Sequence, residues 1–133
     1  NVVEAYKKYF KSKKIKKIIL ISSIAAYFKG NAPLSYSLAK HTLNKYCENI
    51  SFYLANYKIN INSVSPGHIL QKNNLWDKKM KKNKSKIKKL INSNVGLKRF
   101  CLPEDIMNVI NFLSSDKSNY LTGTDIKVDG KTL

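Results

Sequence analysis

Arginine and cysteine are both scarce in this 133-residue sequence. The scarcity of arginine argues against phosphate or base recognition, and that of cysteine against metal and redox sites. Of the 25 basic residues, Arg99 alone is arginine, whereas recognition of phosphates and bases favours the planar guanidinium group. The two cysteines, Cys47 and Cys101, belong to no metal-ligand or redox spacing. We therefore expect two free thiols and no metal site.

Long apolar runs are missing as well. No stretch approaches the ~18 to 20 apolar residues that span a bilayer, and the first residues lack the order of a signal peptide. We therefore predict a cytoplasmic protein without a membrane partner. The chain begins NVVEAYKKYF, without an initiator methionine and already in helical rhythm, which we interpret as a piece of a longer protein.

The formal net charge is +17, and a field of that size concentrates polyanions such as nucleic acid. Lysine carries almost all of this charge, and lysine, asparagine and isoleucine are abundant together, as an AT-rich coding sequence would produce. We therefore interpret the charge as a compositional bias. Hydrophobic residues still make up 43% of the chain, so we expect one compact folded unit.

Helical and strand patterns alternate along the chain. Apolar, β-branched runs predict three strands, in IKKIILIS, KININSVS and TGTDIKVDG. Periodic segments predict helices over residues 2 to about 13, 34 to about 57 and 103 to about 114. Pro103 suits the start of the last helix because two acids follow it. This order predicts an α/β fold with a parallel sheet and right-handed crossovers.

One face of the long helix is marked by residues at alternating steps of four and three, Tyr36, Lys40, Leu43, Cys47, Ile50 and Leu54. Two polar residues therefore head an apolar stripe. Ligands bind at the edge formed by the carboxyl ends of parallel strands, and Ser23 follows the first strand at that edge. We expect Ser23, Tyr36 and Lys40 to converge there.

These three side chains suit proton transfer to a carbonyl or alcohol oxygen. A phenol exchanges protons poorly near neutral pH, but an ammonium group one helical turn away favours its ionised form. A serine hydroxyl 13 residues before Tyr36 can hydrogen-bond the same substrate oxygen and stabilise the charge that develops on it.

The stretch IILISSIAAYFKGNAPLSYSLAK resembles the active-site stretch of the short-chain dehydrogenase/reductase family, with Ser23 as the substrate-orienting serine and Tyr36-x-x-x-Lys40 as the signature pair. ININSVSPGHI is similar to the family's next strand and its Pro-Gly turn, and LKRFCLPEDIMNVINFLSSDKSNYLTGTDIKVDG is similar to its closing helix and strand. The resemblance implies the C-terminal half of a Rossmann-type doubly wound parallel sheet. It also implies an oxidoreductase that transfers hydride between NADP or NAD and a small carbonyl or alcohol substrate.

The resemblance further implies a role for each site residue. Tyr36 would be the general acid in carbonyl reduction and the base in the reverse direction, while Lys40 would bind the ribose hydroxyls and tune Tyr36. The nicotinamide would lie against Pro66, Gly67 and the backbone of Ile69. Two positions depart from the family pattern, Gln71 in place of a common cofactor-anchoring threonine and Lys131 in place of a second glycine.

The first half of the family's domain has no counterpart in this sequence. The five glycines form no Gly-rich pyrophosphate turn, the residue that selects NAD or NADP is absent, and Asn1 falls too late to be the family's catalytic asparagine. We therefore interpret residues 1–133 as the catalytic and C-terminal part of a longer domain, inactive by itself. Family members commonly pair through helices like those at 2–13 and 34–57, so a homodimer or homotetramer is expected.

The Lys-rich residues from 70 to about 95 predict a helical loop or lid that is mobile when empty and ordered with ligand. Leu70, Trp76 and Met80 are its scattered apolar anchors, while His41 and His68 are interpreted as solvent-facing or loop residues. The lysines of this segment are interpreted as a solvated face, with attraction of an anionic substrate as the alternative. Substrate candidates are a 3-oxoacyl carrier-protein and, next, a sugar or polyol.

Two other functions stay open at this point. One is a catalytically inactive basic binding module that uses its Lys-rich surface on nucleic acid, and the retention of Ser23, Tyr36 and Lys40 argues against it. The other is a redox-inactive scaffold of the same fold, which only an assay of the complete protein would distinguish.

Overall fold

The computed structural model describes residues 3, 5, 14–27 and 32–133. Its strands are β1 (Lys16–Ile21), β2 (Ile59–Pro66) and β3 (Asp125–Val128). Its α-helices are α1 (Leu34–Ala55), α2 (Leu75–Lys82), α3 (Lys84–Asn94) and α4 (Pro103–Ser114), and two short 3-10 turns lie at Ile24–Ala26 and Asp116–Ser118. The helix expected over residues 2 to 13 lies outside the described residues, apart from the helical Val3 and Ala5. Within these ranges, no helix combines the length and apolarity that crossing a membrane requires.

The three strands form a parallel sheet in the order β1-β2-β3, which confirms the predicted α/β class. Strand β2 lies in the middle, and all of its residues are buried. Strand β1 is not buried throughout, although an apolar, β-branched run of this kind is typical of a strand buried on both faces. It lies at the edge of the described sheet, and Ile21 is 46% exposed.

Two apolar clusters lie on opposite faces of the sheet because side chains alternate along β2. The first packs between β2 and α1 and contains Val3, Cys47, Leu54, Ile59 and Ile61. The second packs between β2 and α4 and contains Val64, Ile106 and Leu113. Cys47 and Leu54 are only 1% and 0% exposed, which confirms the predicted apolar face of α1.

Helix α4 begins at Pro103, as predicted. Just before it, the Leu102 N–H donates to the Asp105 carboxylate over 2.8 Å, and Arg99 donates to the same group over 2.7 and 3.0 Å. The Arg99 contact, followed by the Leu102 N–H, lowers the pKa of Asp105 to about 2. The ionised carboxylate therefore caps the helix at neutral pH.

The turn after β3 needs left-handed backbone at two consecutive positions, Gly130 at φ 61° and Lys131 at φ 60°. A residue other than glycine in this left-handed region costs on the order of 1 kcal/mol. The family's usual glycine would therefore suit position 131, where this chain has Lys131. The Asp129 carboxylate offsets part of the strain, since it accepts from the N–H groups of Lys131 and Thr132 over 3.0 and 3.2 Å.

We expect the 133-residue chain to self-associate when it is expressed alone. The outer edge of β1 pairs with no other described strand, and an apolar edge of this kind templates association with other chains. Size-exclusion chromatography with light scattering should therefore show oligomers or aggregates despite the charge of +17.

The substitution Ile21→Lys should raise the monomer fraction, because a charge on an edge strand discourages pairing. Leu97→Lys is the matched control, since Leu97 is 65% exposed and lies outside the strands. A monodisperse monomer with a cooperative melt in the unaltered chain would show that three strands form a sufficient core.

Candidate active site

The carboxyl ends of β1 and β2 lie side by side. The Ser22 N–H, just after β1, donates to the Val64 carbonyl over 2.7 Å, and Pro66 ends β2 two residues later. This arrangement places Ser23 and the Pro66–Gly67 pair at one edge of the sheet, as expected for a parallel α/β site.

Ser23 caps the short turn that follows β1. Its Oγ accepts the Ala25 N–H over 3.2 Å, and its carbonyl accepts the Ala26 N–H over 3.0 Å. The first contact uses the hydroxyl oxygen as an acceptor. Among the described residues no acceptor takes the hydroxyl proton.

Tyr36 and Lys40 lie in the first turns of α1, next to the end of β1. The Lys40 Nζ stands 5.8 Å from the centroid of the Tyr36 ring and donates to the Ile21 carbonyl over 2.8 Å. The Ser22 Oγ donates to the Lys40 carbonyl over 3.2 Å. Tyr36 is 44% exposed, so its phenol is accessible to a ligand while α1 is fastened to the strand.

The Pro66–Gly67 turn packs closely on the end of β3. The Gly67 N–H donates to the Val128 carbonyl over 3.0 Å, and a Cβ at Gly67 would lie 2.8 Å from the Asp129 Cα. Contact distances that short are not tolerated, so this position requires glycine for packing alone.

Ile69 forms a parallel bridge with Cys101. The bridge uses the Leu70 N–H and the His68 carbonyl, over 2.9 and 3.0 Å. It therefore leaves the Ile69 N–H without a backbone acceptor in the described part of the chain. A free amide donor next to the Pro-Gly turn suits a carboxamide oxygen.

Both cysteines are free, as predicted. Burial raises the pKa of Cys47 and of Cys101 to about 11, so neither thiol is a nucleophile at neutral pH. Within the described ranges, no group of three or more His, Cys, Asp or Glu side chains could hold a metal ion.

The segment of residues 70–95, called the lid below, contains two regular helices. It forms α2 and α3, and Ile87 and Ile91 of α3 are buried at 8% and 2% exposure. Their spacing of four residues places both side chains on one face of the helix. The closing of the lid on a ligand stays a prediction.

An aromatic stack fastens α2 to the Pro-Gly turn, and the sequence did not reveal it. The Trp76 ring centroid lies 4.6 Å from that of His68 and 5.7 Å from that of Phe100. Burial of the imidazole, and then the nearby charge of Lys79, lower the pKa of His68. A neutral His68 ring therefore packs between the Pro-Gly turn and the lid.

A family model described as enoyl-(acyl carrier protein) reductase matches residues 1–130. The chain belongs to the short-chain dehydrogenase/reductase family. An L-rhamnose 1-dehydrogenase (NADP(+)) of Thermoplasma acidophilum is 36% identical over 88% of this chain and 44% of its own length. A 3-oxoacyl-[acyl-carrier-protein] reductase of Rickettsia felis is 32% identical over 98% of this chain and 51% of its own length.

The fold agrees with this membership. The solved structure of a 4-hydroxyisoleucine dehydrogenase complexed with NADH superposes with a TM-score of 0.80 at 26% identity, over 97% of this chain and 51% of that one. The Rossmann-type fold predicted from the sequence is therefore confirmed. The chain spans about half the length of the curated relatives that it matches.

A cluster of polar side chains lies beside the candidate active-site edge, and no sequence pattern predicted it. It contains Tyr27, Asn44, Ser63, Ser65 and Asp125. Tyr27 and Asp125 lie 98 residues apart in the chain, and no local pattern connects them.

We expect Trp76→Ala in the complete protein to accelerate amide hydrogen exchange in α2 much more than in α3. The stack with His68 and Phe100 holds α2, whereas α3 keeps its own buried anchors, Ile87 and Ile91. Exchange followed by mass spectrometry on peptides from the two helices measures the difference. Leu75→Ala is the control, because Leu75 is 62% exposed on the same helix; equal acceleration in both variants would refute the anchoring role.

Proposed function

We propose that the complete protein is an oxidoreductase that transfers hydride between NADP or NAD and a small carbonyl or alcohol substrate. In this proposal residues 1–133 form the catalytic and C-terminal part of a longer domain. The observation that carries it is the placement of the Lys40 ammonium, bound to the Ile21 carbonyl over 2.8 Å and 5.8 Å from the Tyr36 ring centroid, beside the turn capped by Ser23.

The residues present fit the proposed cofactor at two points. The Lys40 ammonium donates one hydrogen bond to the Ile21 carbonyl. Because an ammonium group has three N–H donors, the remaining two can bind ribose hydroxyls. The Ile69 N–H, next to Pro66 and Gly67, offers a donor to the nicotinamide carboxamide. When bound, the dinucleotide supplies or accepts the hydride.

The proton is transferred by Tyr36, and Ser23 and Lys40 stabilise the charges that develop. During reduction, the Tyr36 hydroxyl donates its proton to the substrate oxygen as the carbonyl becomes an alcohol. The Ser23 hydroxyl donates a hydrogen bond to the same oxygen and stabilises its developing negative charge. The positive charge of Lys40 stabilises the phenolate that remains on Tyr36, and in the oxidative direction this phenolate takes the proton back.

Substrate and assembly are proposals on the same basis. The relatives named above include a rhamnose dehydrogenase and a 3-oxoacyl carrier-protein reductase, so 3-oxoacyl groups and sugars are the first substrates to test. We further propose a cytoplasmic homodimer or homotetramer. The alternative of a basic nucleic-acid-binding module gains no support, because these relatives are oxidoreductases.

Tyr36→Phe in the complete protein should lower kcat by about 10²- to 10⁴-fold, the usual contribution of general acid catalysis. Only the hydroxyl is removed, so the melting temperature should stay unchanged. Absorbance of NADPH or NADH at saturating substrate, with 3-oxoacyl thioesters and sugars as substrates, measures the effect. Tyr120→Phe is the matched control, since Tyr120 is fully exposed; near-normal turnover by Tyr36→Phe would refute its assignment.

Lys40→Ala should lower kcat and also weaken the dinucleotide, raising its Kd by about tenfold or more, because hydrogen bonds from a charged donor are lost. Isothermal titration of the dinucleotide and steady-state kinetics separate the two effects. Lys45→Ala, which removes an exposed ammonium of the same helix paired with Glu48 over 3.0 Å, is the control. An unchanged Kd for Lys40→Ala would exclude the ribose contact.

A further inference from the structure

Tyr27 closes the turn that Ser23 opens. Ser23 is the N-cap of the Ile24–Ala26 turn and Tyr27 is its C-cap, with the Tyr27 N–H donating to the Ile24 carbonyl over 2.9 Å. The two residues are therefore the two ends of one hydrogen-bonded turn, so a contact that holds Tyr27 also restrains Ser23.

The Tyr27 hydroxyl connects this turn to two other elements. It donates to the Asp125 carboxylate of β3 over 2.8 Å and accepts from the Asn44 side-chain amide of α1 over 3.1 Å. Asn44 follows Tyr36 and Lys40 at successive steps of four residues, so all three lie along one side of α1. A single hydroxyl thus joins the Ser23 turn to the helix that carries the proposed proton donor.

Asp125 is itself held firmly. Its other carboxylate oxygen accepts from the hydroxyls of Ser63 and Ser65 in β2, over 2.6 and 2.9 Å. Both serines are completely buried. The acceptor for Tyr27 is therefore anchored to the central strand and not to a mobile surface group.

The electrostatic setting keeps the Tyr27 hydroxyl a donor. Burial, followed by the hydrogen bond to Asp125, raises the pKa of Tyr27 to about 12, so the phenol stays protonated at physiological pH. The Lys127 Nζ also lies 3.8 Å from the centroid of the Tyr27 ring, a cation–π contact that fixes the plane of the ring.

We propose that Tyr27 is a positioning residue for Ser23: its hydroxyl holds the Ser23 turn at a fixed distance from Tyr36 and Lys40 by joining β3 to α1. This inference rests on the proposed function. Ile24 is buried at 8% exposure, and the Ala26 carbonyl lies 3.2 Å from the His41 Nδ1, so these contacts keep the turn folded without the hydroxyl. Loss of the hydroxyl therefore changes the orientation of Ser23 and not the fold.

Tyr27→Phe in the complete protein tests the proposal, because it removes the hydroxyl and keeps the ring above Lys127. We expect kcat to fall about tenfold, since small misplacements of catalytic groups are costly. The Kd for the dinucleotide should not change, because Lys40 and Ile69 are unaltered. Asn44→Ala, which removes the amide partner of the same hydroxyl, should lower kcat in the same direction.

A double-mutant cycle distinguishes positioning from general destabilisation. In a Ser23→Ala background, Tyr27→Phe should cause no further loss of kcat, because it acts through the serine that is already missing. Tyr120→Phe is the matched control and should leave kcat unchanged in both backgrounds. Additive losses, or a normal kcat for Tyr27→Phe alone, would overturn the inference. Absence of turnover in the unaltered enzyme would instead remove the proposed function on which the inference rests.

Discussion

The architecture depends on a central strand that is buried throughout although half of its side chains are polar. Asn60, Asn62, Ser63 and Ser65 all lie in β2, and buried polar groups are costly unless they are hydrogen-bonded. The Asn62 amide donates to the Leu121 carbonyl over 3.0 Å and accepts the Thr124 N–H over 3.1 Å, while Asn60 donates to the Asn119 carbonyl over 2.9 Å. These bonds hold the segment that leads into β3 against the central strand.

The position of the candidate active site follows from this constraint. Once β3 is placed, Asp125 meets the hydroxyls of Ser63 and Ser65 and, through Tyr27, reaches the turn that Ser23 caps. On the other side of β2, the Val64 carbonyl accepts from the residue before Ser23. Contacts with β2 and, through Tyr27, with β3 thus position Ser23. Lys40 adds a third constraint, since its bond to the Ile21 carbonyl sets the distance between α1 and the end of β1.

The sequence predicted those parts of this arrangement whose signals lie within a few neighbouring residues. The alternating spacing from Tyr36 to Leu54 gave the buried face of α1, and Pro103 with its following acids gave the start of α4, because both signals lie within a few residues. The link between Tyr27 and Asp125 spans 98 residues and involves no periodicity, so sequence reasoning could not find it. The partial exposure of β1 is not encoded in its own composition, since burial of a strand depends on its neighbours across the sheet.

The effect of a lysine charge in this protein depends on where the lysine lies. The lid helices α2 and α3 carry eight lysines and one acid, Asp77, and interactions between solvent-exposed charges are screened by salt. Lys40 has the same chemistry but lies where a strand carbonyl and a phenol are within reach, so its direction is fixed. The repulsion among the lid lysines opposes compaction, and the buried Ile87 and Ile91 together with the Trp76 stack offset it. A single lysine outside the lid, Lys40, carries the proposed chemistry.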